Sequence, residues 1–334
     1  MTKLGDDTAG TVPPWAAVFA PEEWAWFVAT VAADLEERRV VHRFDMETGC
    51  VHVEPSSDAR APVPAPARSP HVLGLSNLVQ VCRGRPRDTW ASAIAHHFDV
   101  AFDIKDGRTA EELSQDWRLA RERVKLRLYV RSNLPEVPLV TWEIADGLVA
   151  VLTFDLPETV ISVRLEDRER WDVADDDLYD IALANVRGEG LLPATDIDLG
   201  DRASLHLLEG GRTFFAASHA LFIEDYLRGA GPHGIVLAIP QRHVVLFHPI
   251  RDLRVVRVIE AMIVTATNMY VDGPGSISSD LYWLPPRGED SSLDDLEHCL
   301  VRLPCEIADD TLRFVPPPQF ARMLASLEPF NESH

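Results

Sequence analysis

Two groups of residues have types and spacing that could do chemistry. At roughly 100° per residue, His96, Asp99 and Asp103 fall within about 60° of one another on one helical face, at and just past the end of the helix predicted over 88–102. An imidazole and two carboxylates on one face could hold a metal ion or act as an acid–base set. Trp90, Ile94, Phe98 and Phe102 line the opposite face, so the same pattern also describes the solvated side of an amphipathic helix, and spacing supplies no further ligand. His97 borders the apolar face and reads as a packing residue. Arg242 and His243, beside a predicted hairpin turn, are the second candidate set for an unfamiliar enzyme.

Other constellations carry less. His298, Cys299 and Cys305 suggest zinc, but C-x5-C without a second pair is not a structural zinc pattern, and no metal is expected. Gly229, Gly231 and Gly234 fit G-x-G-x-x-G. A dinucleotide site needs a strand before the glycines and a helix after them, whereas a helix is predicted before and a strand after, and Pro232 lacks an N–H. A helix end and connecting loop explain those glycines. No G-x-S-x-G elbow, P-loop, H-E-x-x-H or C-x-x-C is present. Ser218 and His219 are neighbours in a predicted helix, where adjacent side chains diverge, so they form no dyad. Arg118, Arg121, Arg123, Lys125, Arg127 and Arg131 make a basic run with Tyr129 as a stacking ring, a pattern that could hold a phosphate or a nucleic-acid strand. Glu111, Glu112, Asp116 and Glu122 flank it, which favours pairing within the chain.

The elements that must position these residues are organised around 213–279. A helix is predicted over 217–228, strands over 234–239 and 243–249, and a long helix over 253–270. Both strands are apolar on both faces, which suits strands covered above and below. Upstream, Pro21-Glu22-Glu23 opens a helix to about Arg38, and strands flank Glu47-Thr48-Gly49. Helices are predicted over 75–83 and over 109–122, the latter with Thr109 and Glu112 as a capping box. Alternation from Val124 to Val130 predicts a half-buried strand, and strands follow over 139–144, 148–154 and 159–165, with Asp146-Gly147 as a hairpin turn. Asp172 is the predicted cap of a helix over 173–187; strands are expected at 204–208 and 213–216. The tail reads as a strand at 281–284, a helix or strand at 293–302, a strand near 312–315 and a helix over 318–327. The class is α+β, with mixed or antiparallel sheets, packed helices and a helical N-terminal portion. The expected organisation is an N-terminal helix and hairpin over 1–54, a Pro/Ala-rich linker or loop over 55–70, helices then strands over 71–200, and an α+β core over 201–334, alternatively all one compact unit.

The chain has 334 residues, is 46% apolar and carries a formal charge of −21, enough to bury a core and unfavourable for nucleic acid or an anionic membrane. Arginine outnumbers lysine (only Lys3, Lys105 and Lys125), which suits a GC-rich bacterial genome. Cys50, Cys82, Cys299 and Cys305 are scattered, as expected of reduced thiols in a cytoplasmic protein, and no signal peptide is read at the N-terminus.

Ile239-Pro240-Gln241-Arg242-His243-Val244-Val245-Leu246, the long helix through Met262 to Tyr270, and Gly273-Pro274-Gly275-Ser276-Ile277-Ser278 resemble the C-terminal half of the YtpQ-like family of bacterial proteins. Leu75-Ser76-Asn77-Leu78 and Ala182-Leu183-Ala184-Asn185-Val186 resemble that family's Asn-Leu helix boundaries. His243, in place of an acid, and Pro274-Gly275-Ser276 depart from its pattern. The resemblance implies a cytosolic α+β fold and no activity. No cofactor is expected. The leading expectation is a non-enzymatic module that binds another protein, of basic character, in an immunity-like or regulatory role; the alternative is an enzyme with a His/Asp-based site.

Overall fold

The computed structural model describes residues 12–47, 49–53, 71–102, 110–156, 159–210, 213–227, 231–272, 275–286, 299–308 and 311–328. The predicted 55–70 linker therefore lies outside the described residues. The chain divides into two compact units. One comprises 1–116, 133–137 and 155–161; the other comprises 117–132, 138–154 and 162–334.

In the first unit, α1 (Pro21–Glu37) begins with proline in its first turn, and the Glu23 carboxylate accepts the Ala20 N–H at 2.8 Å. Its predicted apolar face, Trp24, Phe27, Val28, Val31 and Leu35, is buried. β1 (His42–Asp45), β2 (Cys50–Val53) and β3 (His71–Gly74) form an antiparallel sheet. Residues of that sheet, of α2 (Ser76–Arg83) and of α3 (Trp90–Phe102) close one core with α1. The β1–β2 turn needs glycine: Gly49 has φ 70°, and a Cβ there would sit 2.7 Å from the Trp15 ring. α4 (Ala110–Gln115) ends the first of the three stretches that make up this unit.

The second unit opens with α5 (Trp117–Ala120). The single helix predicted over 109–122 is thus two short helices that break at Asp116; Trp117 packs instead against Trp171, ring centroids 5.1 Å apart. β4 (Val124–Val130), β5 (Thr141–Ala145) and β6 (Leu148–Leu156) pair in the order β4-β6-β5, with Gly147 at φ 76° in the predicted Asp-Gly turn. Residues 155–161, including most of β7 (Thr159–Ser162), belong to the first unit, and in the second α6 (Leu165–Arg168) leads to α7 (Asp175–Arg187). α7 starts two residues past the predicted start: Ala174 occupies the cap, and no side chain caps the helix. Asp175, Asp176 and Asp177 in its first turn complement the helix dipole instead.

The larger sheet is antiparallel throughout. It combines β8 (Ala194–Gly200), β9 (Ala203–Glu209), β10 (Ile235–Gln241), β11 (Val244–Pro249), β12 (Leu281–Leu284) and β13 (Val301–Leu303) in the order β13-β12-β10-β11-β9-β8. α8 (Val255–Asp272) packs Val255, Val258, Ile259, Met262 and Ile263 against Val236, Ala238, Leu246 and Leu281. On the Phe247 side lies the 3-10 segment Ala216–Tyr226. The two-sided burial expected of β10 and β11 is therefore present. β14 (Cys305–Ala308), β15 (Thr311–Phe314) and α9 (Pro318–Ser326) follow, with Phe320 closing on Trp283. No described helix is long and apolar enough to cross a membrane.

The α-helix predicted over 217–228 is a 3-10 segment with non-helical geometry at Phe222 (φ −137°, ψ 37°). Outside bonds explain this: Ala217 N–H donates to Arg242 O (3.1 Å) and Ser218 Oγ to Leu126 O (2.7 Å), and residues 216–223 are buried all round. Nor do 213–216 form the expected strand. They turn into that segment, with Thr213 Oγ1 accepting the Phe215 N–H.

Candidate functional site

β8 is the open edge of the six-stranded sheet: it pairs with β9 on one side, and no described strand pairs with the other. Its sequence, Ala-Thr-Asp-Ile-Asp-Leu-Gly, alternates along the strand. Ile197 and Leu199 pack onto the core shared with α8, while Asp196 and Asp198 stand exposed on the other face. The β8–β9 turn puts Asp201 (φ 52°) and Arg202 (φ 58°) in the left-handed region, the geometry that follows strand twist in a tight hairpin. Arg254 Nη1 holds it by donating to Arg202 O at 2.9 Å, and the same guanidinium is fastened to Asp252. That ion pair holds the Asp252 carboxyl below the usual range.

A cleft of about 480 Å³ opens beside this edge, with Asp196, His206, Tyr226, His248 and Asp252 in its walls. Asp196 and His206 are direct cross-strand partners, with Oδ1 and Nδ1 2.6 Å apart, and the imidazole stacks on Phe247 at 4.9 Å. With Nδ1–H donating to the carboxylate, Nε2 is left as a hydrogen-bond acceptor. His248 Nδ1 donates to Ser204 O at 2.7 Å, and burial pushes this imidazole down to about 4, so it is neutral at pH 7.

Of the residues singled out by spacing, His96 and Asp99 are exposed on α3, and Asp99 is an ion-pair partner of Arg38 at 2.9 Å; Asp103 lies outside the described residues. His298 also lies outside them. The Cys305 thiol is pushed up to about 11 by burial, and no group of metal-ligating side chains occurs among the described residues. Ser218 and His219 diverge as expected, to Leu126 O and to Tyr226 Oη respectively. Gly231 and Gly234 serve packing rather than phosphate: Cβ atoms there would lie 2.5 Å from Ile250 O and 2.1 Å from Leu284 O.

Arg242 and His243 sit together at the β10–β11 turn. Arg242 Nε donates to His243 Nε2 at 2.9 Å, which leaves His243 Nδ1 as the donor to Gly210 O at 3.2 Å. Both ring nitrogens of this imidazole are thus engaged. Burial, and then the Arg242 charge, hold it below its ordinary pKa. Lys125 and Arg131 in the basic run are ion-paired, to Glu189 and Glu143. Asp196, His206 and His248 were not visible as a set in the sequence, because only strand pairing assembles them.

The chain matches no protein family, no curated protein and no solved structure.

Proposed function

We propose that this protein is a binding module that takes an extended, basic segment of a partner protein as an added strand beside β8. The observation that carries this reading is the outer edge, unpaired among the described residues, of a seven-residue strand whose solvent face holds Asp196 and Asp198. An open edge supplies a row of backbone donors and acceptors, and alternate pockets supply the choice of side chain. Lysine or arginine at alternate positions meets the aspartates, and apolar residues between them continue the layer of Ile197 and Leu199. A second copy of this chain would bring like charges to the edge, so the aspartates select against self-pairing and for a basic strand. The overall charge of −21 adds long-range attraction. A cytoplasmic setting and an immunity-like or regulatory role fit this reading.

A synthetic peptide of about eight residues alternating lysine and valine is the probe, since that length spans the strand. It is expected to bind saturably and more weakly as salt rises. The double substitution Asp196→Lys/Asp198→Lys should weaken it at least about ten-fold. Equal affinity for the reversed-charge protein, or for a glutamate–valine peptide, would sink the reading.

A second reading, catalysis at a His/Asp site, draws support from the 2.6 Å Asp196–His206 contact in the cleft wall. It would gain ground if His206→Gln abolished a turnover found by substrate screening and left peptide binding intact. Kinship with YtpQ-like proteins is likewise our proposal. Two of the segments that carry the resemblance meet in space: Ile277 and Ser278 N–H donate to Pro240 O and Ile239 O.

A further inference from the structure

β4 presents Lys125, Arg127 and Tyr129 at alternate positions, and Arg131 follows it in a 3-10 turn, with the two outer cations differing from the inner one. Lys125 is paired with Glu189 and covered by Phe215, whose ring centroid is 4.9 Å from Nζ; Arg131 is paired with Glu143. Arg127 has no carboxylate partner among the described residues and lies over Tyr129, 5.1 Å from the ring centroid. The 3-10 segment draws the β10–β11 turn to this strand through successive residues: Ala217 N–H bonds Arg242 O, and Ser218 Oγ bonds Leu126 O.

Arg242 is therefore delivered beside Arg127. It too lacks a carboxylate partner among the described residues, where its Nε–H is donated to His243 Nε2. Its stem is clamped, since Gly275, at φ 74°, approaches so closely that a Cβ there would be 2.6 Å from Arg242 Cδ, and Arg242 N–H donates to Gly275 O at 2.9 Å. Burial and the neighbouring Arg127 charge lower its pKa to about 10, still protonated at pH 7. In a chain with far more acids than bases, two neighbouring arginines without a carboxylate partner among the described residues stand out.

We propose that Arg127 and Arg242, with the Tyr129 phenol, form a binding site for a small tetrahedral dianion of the phosphate type. Two forked cations match the charge and geometry of such an oxyanion, and each fork can offer two parallel N–H donors. The clamped Arg242 stem means that little side-chain freedom remains to be lost on binding. This site does not depend on the strand-addition reading of β8.

Calorimetric titration of the full chain tests it, with inorganic phosphate and phenyl phosphate as probes and chloride holding ionic strength constant. At a pH where both are dianions, saturable binding is expected. Arg127→Gln and Arg242→Gln should each weaken it about ten-fold or more. Arg322→Gln, on an exposed residue of α9, should leave it unchanged. Preference for phenyl phosphate identifies an ester as the ligand, and equal affinity identifies the free ion. If Arg242→Gln fails to fold, the half-exposed Arg127 decides alone. Absence of saturable phosphate binding, or affinity unchanged in Arg127→Gln, overturns the proposal.

Discussion

Gly234→Ala is expected to destabilise the larger unit by about 3 kcal/mol or more, measured as a fall in the urea midpoint without loss of slope. Two costs add. Gly234 has φ 85°, a conformation that penalises any Cβ by roughly 1–2 kcal/mol. The new methyl would also fall 2.1 Å from Leu284 O and 2.9 Å from Trp283 Nε1, so β12 would have to move. Neighbouring bonds resist that shift: Ile250 N–H donates to Gly234 O at 2.8 Å, and Trp283 Nε1 donates to His233 O at 2.9 Å. Because Gly234 leads directly into β10, and β10–β11 carries Arg242 and His243, the same substitution should also weaken any ligand bound at that turn. A variant with wild-type stability would mean that the backbone here relaxes freely.

Acid should destabilise the protein between about pH 6.5 and pH 4, and two histidines should account for much of the slope. Burial pushes His219 and His248 each down to about 4, below the unfolded value near 6.5. Between those values the unfolded chain binds more protons than the folded one. Stability therefore rises with pH through that window and levels off above it. Relief of repulsion in a chain of charge −21 acts in the opposite direction, so the comparison must be internal. His248→Asn retains a donor near Ser204 O, and His219→Asn retains a polar atom near Tyr226 Oη. Urea midpoints at pH 7, 5.5 and 4.5 should converge in the double variant and diverge in the wild type. Parallel pH profiles would contradict the assignment.

Sequence periodicity disclosed the elements whose burial is one-sided or complete over several residues. α1 announced itself through Trp24, Phe27, Val31 and Leu35, and the β10–β11 hairpin through two runs without an exposed face. β8 was missed for a physical reason. Asp196, Asp198 and Gly200 are poor strand formers, and an edge strand needs only one neighbour to hold it, here a β9 register that begins at Ala194↔Leu208. Ala216–Tyr226 reads as an α-helix by propensity, yet its backbone and Ser218 answer to Arg242 and Leu126 instead. Those tertiary bonds are also why Arg127 and Arg242 could not be joined beforehand: the first lay in a basic run and the second at a turn. His96 and Asp99 show the converse. Helical spacing places side chains on one face, and Arg38 then claims Asp99 for an ordinary surface pair.

Hydrogen exchange of the β8 amides, with and without the lysine–valine peptide, tests the strand-addition account most directly. The account predicts that the peptide slows exchange within 194–200, where the outer backbone groups acquire partners, and that Asp196→Lys/Asp198→Lys removes this protection. Unchanged exchange across 194–200 at saturating peptide, or protection confined to other segments, would contradict it.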